Sequence, residues 1–597
     1  MPHENFWGSF IIWPDEIKLN NTTMAETKFA KLAEVFHHLE SVSSSLAMID
    51  ILADFFPKIS PEEAKISAYL LRGEIAPPYE GLETGLADKM VIRAIALAQN
   101  ETNQKIGDLL NKKGDLGLVI DDLKAGGKGQ GLTIKEVFEK LIEIPKFGGS
   151  GSQDKKINFL AELLSKTSGQ EAKYIIRTIL GTLRLGVGEM IFLYGLAKAF
   201  SGNKKNKEIL EYAFNVISDL GEVAYAVSKS GIKKISEIEP KVGVPIRMML
   251  SNRIAALEET KKHISGKVSV EDKYDGERIQ AHIKKNGKIV LFSRRQENIT
   301  HQYPDVIEGL KKSFQAKEAI VEGEVVPFDE KHEKSMPFQV LMSRRRKHGI
   351  EEYVKKIPVS YFLFDLLYLD NKNFLREPLE ERKTALKRYF NKTKTIDFAE
   401  YVITDDLSII KERFNDSIKR GNEGIMIKDY SGIYQAGTRG WLWIKFKKDY
   451  QKEIVDTFDL VVVGGIYGTG RRAKTYGSLL AAAYDPKNNK YYSFTKAGTG
   501  LTDENLAALP KKLKKYELKE KHKLVETKIK VDIWFEPKIV MEISGAEITV
   551  SPVHTVAEDK IKNGGLALRF PRFLRWREDK SAEEATTVKE IYELYKG

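Results

Sequence analysis

The chain has 597 residues, of which 42% are hydrophobic, and this length predicts two to four domains with several buried cores. Its 96 Lys and Arg residues exceed its 84 Asp and Glu residues, giving a formal net charge of +12. This excess favours a polyanionic partner and leaves ribosomal, membrane-surface and simple solubility roles open. The absence of cysteine excludes disulfides, zinc–thiolate sites and thiol nucleophiles, and it suits an intracellular protein.

Residues 1–23 form an extension ahead of a helical pattern that begins abruptly at Met24. Their aromatic stretch, residues 6–13, is shorter than the roughly 20 apolar residues needed to cross a bilayer and lacks a positively charged start. A start codon assigned too early explains the extension as well as a functional arm does. No other segment is long and apolar enough to span a membrane, so we expect a cytoplasmic protein without membrane contact.

Residues 24–239 are predicted to form an all-α domain because apolar residues recur at helical spacing, as at Phe29, Leu32 and Phe36. The sequence from Thr133 to Glu136 has the pattern of a capping box ahead of an apolar stripe. These features predict helices that begin at side-chain caps and bury one face.

An arginine- and glycine-rich segment lies near the end of this helical region, with Arg177, Arg184, Gly186 and Gly188. The two arginines are about two helical turns apart and share a face, and the glycines allow close approach of the backbone. Contact with phosphates explains this pattern as well as tight helix packing with two solvated arginines does.

Two further regions follow, and both are richer in strands. Residues 240–452 alternate short apolar strands with helices, which predicts an α+β domain. Residues 453–597 show short strands separated by glycine turns, which predicts a small β-barrel such as an OB-fold. The sequence therefore predicts a multidomain protein with one all-α, one α+β and one β-barrel domain.

Lys273 is the candidate nucleophile of the middle region. It lies between two alternating apolar runs, and the following Asp275-Gly276 pair predicts a tight turn between two strands. In a cleft, a desolvated lysine can lose its proton and attack phosphorus or carbonyl carbon. A solvated lysine on an exposed hairpin explains this short pattern equally simply.

Other strands downstream carry further groups suited to phosphate chemistry. A strand ends at Arg294, carboxylates stand at Glu324 and Glu423, and a buried-looking strand carries Phe364. A later strand alternates polar and apolar residues, which predicts that Lys445 and Lys447 share one face. Singly, these residues fit strand edges and core; jointly, they offer carboxylates for a divalent cation, cations for phosphates and an aromatic ring for a base.

In the order of their motifs, these segments resemble the covalent nucleotidyltransferases, which comprise ATP-dependent DNA ligases, RNA ligases and mRNA capping enzymes. The matching stretches are K-Y-D-G-E-R at 273–278, S-R-R at 293–295, E-G-E at 322–324, F-D-L at 364–366, E-G-I-M-I-K at 423–428 and W-I-K-F-K at 443–447. Three further stretches, at 534–537, 547–552 and 568–573, narrow the resemblance to replicative DNA ligases. So do the closing R-E-D-K at 577–580 and the L-R-L-G-V-G segment at 183–188 of the helical region. It covers residues 24 to about 595, and the compact length suggests the archaeal branch.

The resemblance implies a role for each matching residue. Lys273 would form a phosphoramidate with AMP from ATP, Glu271 would bind the adenine amino group, and Phe364 would stack on the base. The remaining expected ligands of the nucleotide are cations and a carboxylate: Arg278, Arg294, Arg439, Lys445, Lys447, Arg577, Asp579 and Lys580. Glu324 and Glu423 would organise Mg2+ or Mn2+, and Arg177, Arg184, Gly186 and Gly188 would contact DNA.

The expected partner is nicked duplex DNA, bound by a monomer. A capping enzyme or RNA ligase would share Lys273 but usually lacks a helical domain of this size ahead of it. A non-catalytic DNA-binding scaffold would be expected to have lost some of the site residues, and none is lost. A sliding clamp remains an open partner, because the stretch 104–110 has the leading glutamine of a clamp-binding motif but no paired aromatics.

Overall fold

The computed structural model describes residues 26–183, 185–329, 331, 334–344, 350–447, 457–468, 476–545, 547–562 and 564–596. The chain divides into two compact units, residues 1–446 and 447–597. The expected helical and α+β regions both fall in the first unit. The N-terminal extension lies outside the described residues.

The first part of the described chain is helical. Its helices are α1 Phe29–Ser41, α2 Ser45–Phe55, α3 Pro61–Leu71, α4 Asp88–Gln99, α5 Asn103–Lys113, α6 Leu116–Leu123, α7 Ile134–Glu143, α8 Ser152–Ser165, α9 Gly169–Ile179, α10 Glu189–Ser201, α11 Lys207–Ile217 and α12 Leu220–Ile235. The capping box predicted at Thr133 and Glu136 is confirmed, since each side chain accepts the other's backbone N–H. The helices share one buried hydrophobic core.

Two sheets follow in the same unit. The elements are β1 Leu250–Arg253, α13 Thr260–His263, β2 Val268–Lys273, β3 Glu277–Ile283, β4 Ile289–Ser293, α14 Pro304–Ser313, β5 Ala319–Pro327, α15 Ile350–Lys356, β6 Val359–Leu369, β7 Lys372–Asn373, α16 Leu379–Tyr389, β8 Ile396–Phe398, β9 Tyr401–Thr404, α17 Leu407–Lys419, β10 Gly424–Asp429 and β11 Arg439–Lys447. One sheet has the order β1-β11-β10-β2-β9. The other has the order β4-β3-β5-β6-β7, with β8 beside β6.

The two strands and the short turn around Lys273 form where the sequence predicts them, but the strands do not pair with each other as a hairpin. β2 pairs with β10 and β9, whereas β3 pairs with β4 and β5, so the two strands belong to different sheets. The turn at residues 274–276 therefore leads the chain from one sheet into the other. Lys273 lies at this junction rather than on an exposed hairpin.

The helical part contacts the sheet region through polar bonds. Arg247 donates to both carboxylate oxygens of Glu189, at 2.6 and 2.7 Å, and the Gln296 amide donates to the Ser218 hydroxyl at 2.7 Å. A bidentate arginine pair fixes orientation as well as distance. These bonds join the two regions within the first unit.

The second unit is β-rich. Its elements are β12 Phe458–Tyr467, β13 Tyr476–Asp485, β14 Lys490–Ala497, α18 Asp503–Leu513, β15 Glu517–Leu518, β16 Val525–Glu526, β17 Ile533–Phe535, β18 Val540–Ser544, β19 Glu547–Ser551, β20 Gly565–Arg569, β21 Arg572–Trp576 and α19 Val588–Lys596. Along one edge, β12 pairs first with β18 and then, at Gly464 and Gly465, with β17. A side chain at Gly464 would crowd Val531, so glycine permits this close change of partner. The resulting curled sheet has the character of the predicted OB-fold.

In the part of the chain that the structure describes, no helix is both long enough and apolar enough to cross a membrane.

Candidate active site

Lys273 ends β2 at the point where the chain passes between the two sheets. Gly276 is required in the turn that follows, because a side chain there would overlap the Val325 carbonyl oxygen and approach Glu324. This close packing brings β5, which carries Glu324, against the turn. The nucleophile candidate and the first carboxylate candidate are thus neighbours although 51 positions separate them.

Glu423 is the direct partner of Lys273. Its carboxylate lies 2.6 Å from the Lys273 ammonium, and its backbone N–H donates to the Lys273 carbonyl oxygen at 3.0 Å. The next residue, Gly424, is the register partner of Lys273 in the β2–β10 ladder. The side chains of Lys273 and Glu423 keep 23% and 26% of their surface exposed, so a reactant can reach both.

Glu324 completes the carboxylate pair expected from the sequence. It stands opposite Arg278 in the β3–β5 ladder. The pKa of Glu324 is raised to about 7, mainly by burial and also by the nearby carboxylates of Glu423 and Glu277, against the lowering influence of Lys273 and Arg278. Carboxylates crowded in this way are stabilised by an added cation.

Glu271 lies deeper than the sequence suggested. The carboxylate is 3% exposed and accepts from two buried ammoniums, Lys383 at 2.8 Å and Lys428 at 2.7 Å. Burial raises the pKa of Glu271, but the two lysines outweigh burial and bring it below its ordinary value. Burial lowers the pKa of Lys428 to about 8. Both oxygens of Glu271 already hold ammonium partners, so its expected contact with an adenine amino group stays a prediction.

Phe364 lies beside a set of cations and a second aromatic ring. The Lys428 ammonium is 4.3 Å from the Phe364 ring centre and 4.2 Å from that of Trp443, and the Arg278 guanidinium is 5.4 Å and 5.1 Å from the same rings. Phe364 is only 8% exposed. The ring is well held by cation–π contacts, and its expected stacking on a base stays a prediction.

Arg278 is bound to other groups of the protein. Its guanidinium donates to the buried carboxylate of Glu322 at 2.6 Å and to the Met249 carbonyl oxygen at 2.7 Å. Glu322 is fully buried, so it needs a permanent cation beside it. The structure therefore gives Arg278 a structural partner, which the resemblance alone did not suggest.

The other expected nucleotide contacts of the first unit lie on more accessible surface. Arg294, just after β4, and Arg439, at the start of β11, are exposed. Lys445 and Lys447 are partly exposed, whereas the alternating Ile444 and Phe446 are buried. The predicted two-faced strand is thereby confirmed.

In the helical arginine–glycine segment, Arg177 departs from both sequence interpretations. Arg177 is 6% exposed and pairs with Glu40 at 2.9 Å and Asp115 at 3.0 Å. Arg177 is thus neither a solvated arginine nor a side chain presented to phosphates. Arg184 lies outside the described residues. Gly186 has a positive φ of 75° and Gly188 precedes α10, and neither placement tests a DNA contact.

The closing motif of the second unit is held together by one carboxylate. Asp459, on β12, accepts from the Arg577 guanidinium at 2.7 and 2.9 Å and from the Lys580 ammonium at 2.7 Å. Arg577 also pairs with Asp579 at 2.7 Å, and this partner helps to keep the pKa of Asp579 at about 2. Arg577, Asp579 and Lys580 are therefore neighbours in space as well as in sequence.

Sequence reasoning missed several partners at the site. Lys428 could have been found, because it is the one cation in an otherwise apolar strand and shares a face with Met426. Lys383 stands in a charged stretch of α16 that looks solvated. Asp459 opens an apolar run with nothing to link it to residues more than 100 positions away.

Comparison with known proteins identifies the family. The family model of the DNA ligase N terminus matches residues 28–197. The model of the ATP-dependent DNA ligase domain matches residues 248–447, and the model of the ATP-dependent DNA ligase C-terminal region matches residues 472–580. The DNA ligase of Staphylothermus marinus is 44% identical over 588 residues, covering 95% of this chain and 98% of that protein. DNA ligase 2 of Thermofilum pendens is 43% identical over 585 residues, covering 95% and 97%.

A solved structure named Pmar-Lig_PreS3 has a TM-score of 0.53 at 20% identity, covers 92% of this chain and 99% of its own, and supports the fold alone. The site and the sequence relatives agree on the class of enzyme. The chain belongs to the ATP-dependent DNA ligases.

Proposed function

We propose that this enzyme seals nicks with a 5′-phosphate and a 3′-hydroxyl in duplex DNA, through an AMP group held covalently on Lys273. The observation that carries the proposal is the 2.6 Å contact between the Lys273 ammonium and Glu423 at the junction of the two sheets. It combines a lysine that a reactant can reach with a carboxylate placed to hold the proton that the amine must lose.

Three phosphoryl transfers make up the reaction. The Lys273 amine attacks the α-phosphorus of ATP, an N–P bond forms, the bond to the bridging oxygen breaks and pyrophosphate leaves. An oxygen of the DNA 5′-phosphate then attacks the same phosphorus and releases Lys273. The 3′-hydroxyl finally attacks the 5′-phosphorus, loses its proton, and AMP leaves.

Glu324 and Glu423 fit a divalent cation, either Mg2+ or Mn2+. Mg2+ is commonly held by one or two carboxylates together with substrate phosphates and water. Among the described residues no cluster of three or more potential metal ligands occurs, which agrees with a cation held partly by ATP or DNA. When bound, the cation would offset the negative charge that builds on the phosphate oxygens.

The remaining residues are proposed to bind and orient the substrates. Arg294, Arg439, Lys445 and Lys447 would hold phosphates and ribose, and Phe364 and Glu271 would hold the adenine. Arg577, Asp579 and Lys580 would act on the leaving pyrophosphate, and Arg184, Gly186 and Gly188 would contact DNA. Buried Arg177 would support that surface rather than touch it.

The proposed enzyme acts as a monomer in the cytoplasm, associated with the nucleoid, with roles in replication, repair and recombination. A sliding-clamp contact receives no support from the stretch 104–110, where Leu109 and Leu110 pack against the helical core instead of projecting as anchors. We therefore leave clamp binding out of the proposal.

Covalent labelling with α-labelled ATP and magnesium tests the proposal. Lys273→Ala and Lys273→Arg should both lose the label, because the arginine can keep the pair with Glu423 but cannot act as the nucleophile. Lys267→Ala, an exposed lysine next to the other end of the same strand, should keep it. Label that survives in both Lys273 variants would place the nucleophile elsewhere.

Binding of nicked duplex should change less than about twofold in Lys273→Arg, since the net charge is unchanged and phosphate contacts set most of the affinity. Loss of DNA binding together with labelling would point to misfolding, which thermal unfolding of the same preparation would detect.

A further inference from the structure

An open cavity lies on the first unit, away from Lys273. It has a volume of about 450 Å3 and lies between the β3–β4 turn and the end of α14. β3 runs from the active-site junction at Arg278 to the cavity at Ile283, a path of roughly 17 Å at the usual rise of a strand. The cavity is therefore separate from the nucleotide site.

The rim of the cavity is cationic. Four lysines line it: Lys284, Lys285, Lys311 and Lys317. Lys285 pairs with Glu318 at 3.3 Å and Lys311 with Glu308 at 2.6 Å. Within the described chain, Lys284 and Lys317 have no carboxylate at ion-pair distance. Two of the four positive charges are thus available to a ligand.

The floor of the cavity is apolar. Phe314 and Ala316 are partly exposed there, whereas Ile283, Ile289 and Leu310 are buried, and no amide, hydroxyl or carboxylate side chain lines the cavity. Such a floor accepts apolar bulk but cannot read the edge of a nucleobase, which needs directional donors and acceptors. A concave apolar floor is also poorly matched to the phosphates of a duplex.

We propose that this lysine-rimmed cavity docks an acidic segment of a partner protein that carries a bulky apolar anchor residue. The anchor would fill the floor, as interface anchors fill pockets, and the flanking carboxylates would pair with Lys284 and Lys317. The interaction would link the ligase to a partner without occupying the nucleotide site.

The test uses a defined probe: a short fluorescent peptide of aspartate and glutamate with a central Leu-Phe pair, titrated with the full-length chain in fluorescence anisotropy. Lys284→Glu/Lys317→Glu should weaken binding by at least about tenfold. The matched control is Lys288→Glu/Lys312→Glu, which reverses two exposed lysines close in sequence that do not line the cavity. It should weaken binding by less than about threefold, because it changes the net charge equally but leaves the rim intact.

A second measurement keeps the proposal testable without charge reversal. The chain has no cysteine, so Ala316→Cys carries a single environment-sensitive fluorophore in the cavity floor. The Leu-Phe peptide should shift its emission, and a peptide with alanine in place of Leu and Phe should not.

Equal weakening by the two charge reversals, equal binding of the alanine peptide, or displacement of the peptide by duplex DNA would overturn the proposal. Neither double variant should alter adenylation or nick sealing with purified components, so failure here is distinguishable from failure of the proposed function.

Discussion

Asp365 is expected to stabilise the fold rather than take part in catalysis, although it belongs to the F-D-L motif. Its carboxylate pairs with Arg382 at 2.7 and 3.2 Å, and both side chains are completely buried. Asp365→Asn keeps the shape but removes the charge, which leaves the guanidinium buried and uncompensated. Breaking such a pair costs about 3–5 kcal/mol.

The lower end of that range is the expected value here. Arg382 also donates to the carbonyl oxygens of Glu377 and Gly432, at 2.7 and 3.0 Å, and these bonds survive the substitution. About 3 kcal/mol corresponds to a fall of roughly 6–12 °C in the unfolding midpoint of a domain of about 200 residues. Calorimetry of the full-length variant gives that midpoint.

Asp370→Asn is the matched control, because Asp370 lies in the turn just beyond the same strand. Its carboxylate accepts from the backbone N–H groups of Lys317 and Glu318, which an asparagine oxygen also serves. It should change the midpoint by no more than about 2 °C. Asp365→Leu/Arg382→Met should recover most of the loss, because no charge is then left buried. A shift for Asp365→Asn as small as that of the control would show that the Asp365–Arg382 pair does not supply this stability.

Three further predictions concern titration, the cation and the second unit. Burial and the nearby Lys284 lower the pKa of His282 to about 3, so between pH 6.5 and 3 the unfolded chain binds more protons than the folded chain. Urea titrations should therefore show that the free energy of unfolding falls as the pH is lowered through this window. At pH 5 this loss should be about 2 kcal/mol smaller in a folded His282→Gln variant. Glu324→Gln should raise the magnesium concentration needed for adenylation by about tenfold or more, and an unchanged magnesium dependence would make the carboxylate structural. Lys580→Ala should block adenylation of Lys273 yet seal a nick that already carries AMP, because no pyrophosphate leaves in that reaction; comparable loss of both activities would contradict this role.

The strands around Lys273 could be predicted because their side-chain alternation is local. Val268 and Val270 point to one core, and Asp275-Gly276 marks the turn. The same pattern fits a hairpin and a crossing between sheets, since both leave one face of each strand buried. Strand pairing depends on β10 and β5, whose residues lie 36 or more positions away in sequence from their partners, and no local signal identifies them.

The burial of charged side chains cannot be predicted from the neighbouring sequence. A carboxylate near a lysine in sequence, such as Glu271 beside Lys273, looks like a member of one exposed site. In the fold, Glu271 has its own two ammonium partners and its side chain is only 3% exposed. Side chains of this type are buried only with partners, so predicting burial requires knowing the partner first.

The second unit shows the same dependence on distant partners. The resemblance implies that Arg577 and Lys580 act on pyrophosphate, and in the fold both are bound to Asp459. Asp459 is 11% exposed at its side chain and lies on a core strand, so the carboxylate is fixed and the two cations converge on it. A phosphate that engages Lys580 has to compete with Asp459, and the 32% exposure of the lysine side chain leaves it open to that competition. Asp459 therefore has two effects. It orients the cations of the motif, and its attraction for Lys580 is the interaction that a phosphate would have to outcompete in order to bind this lysine.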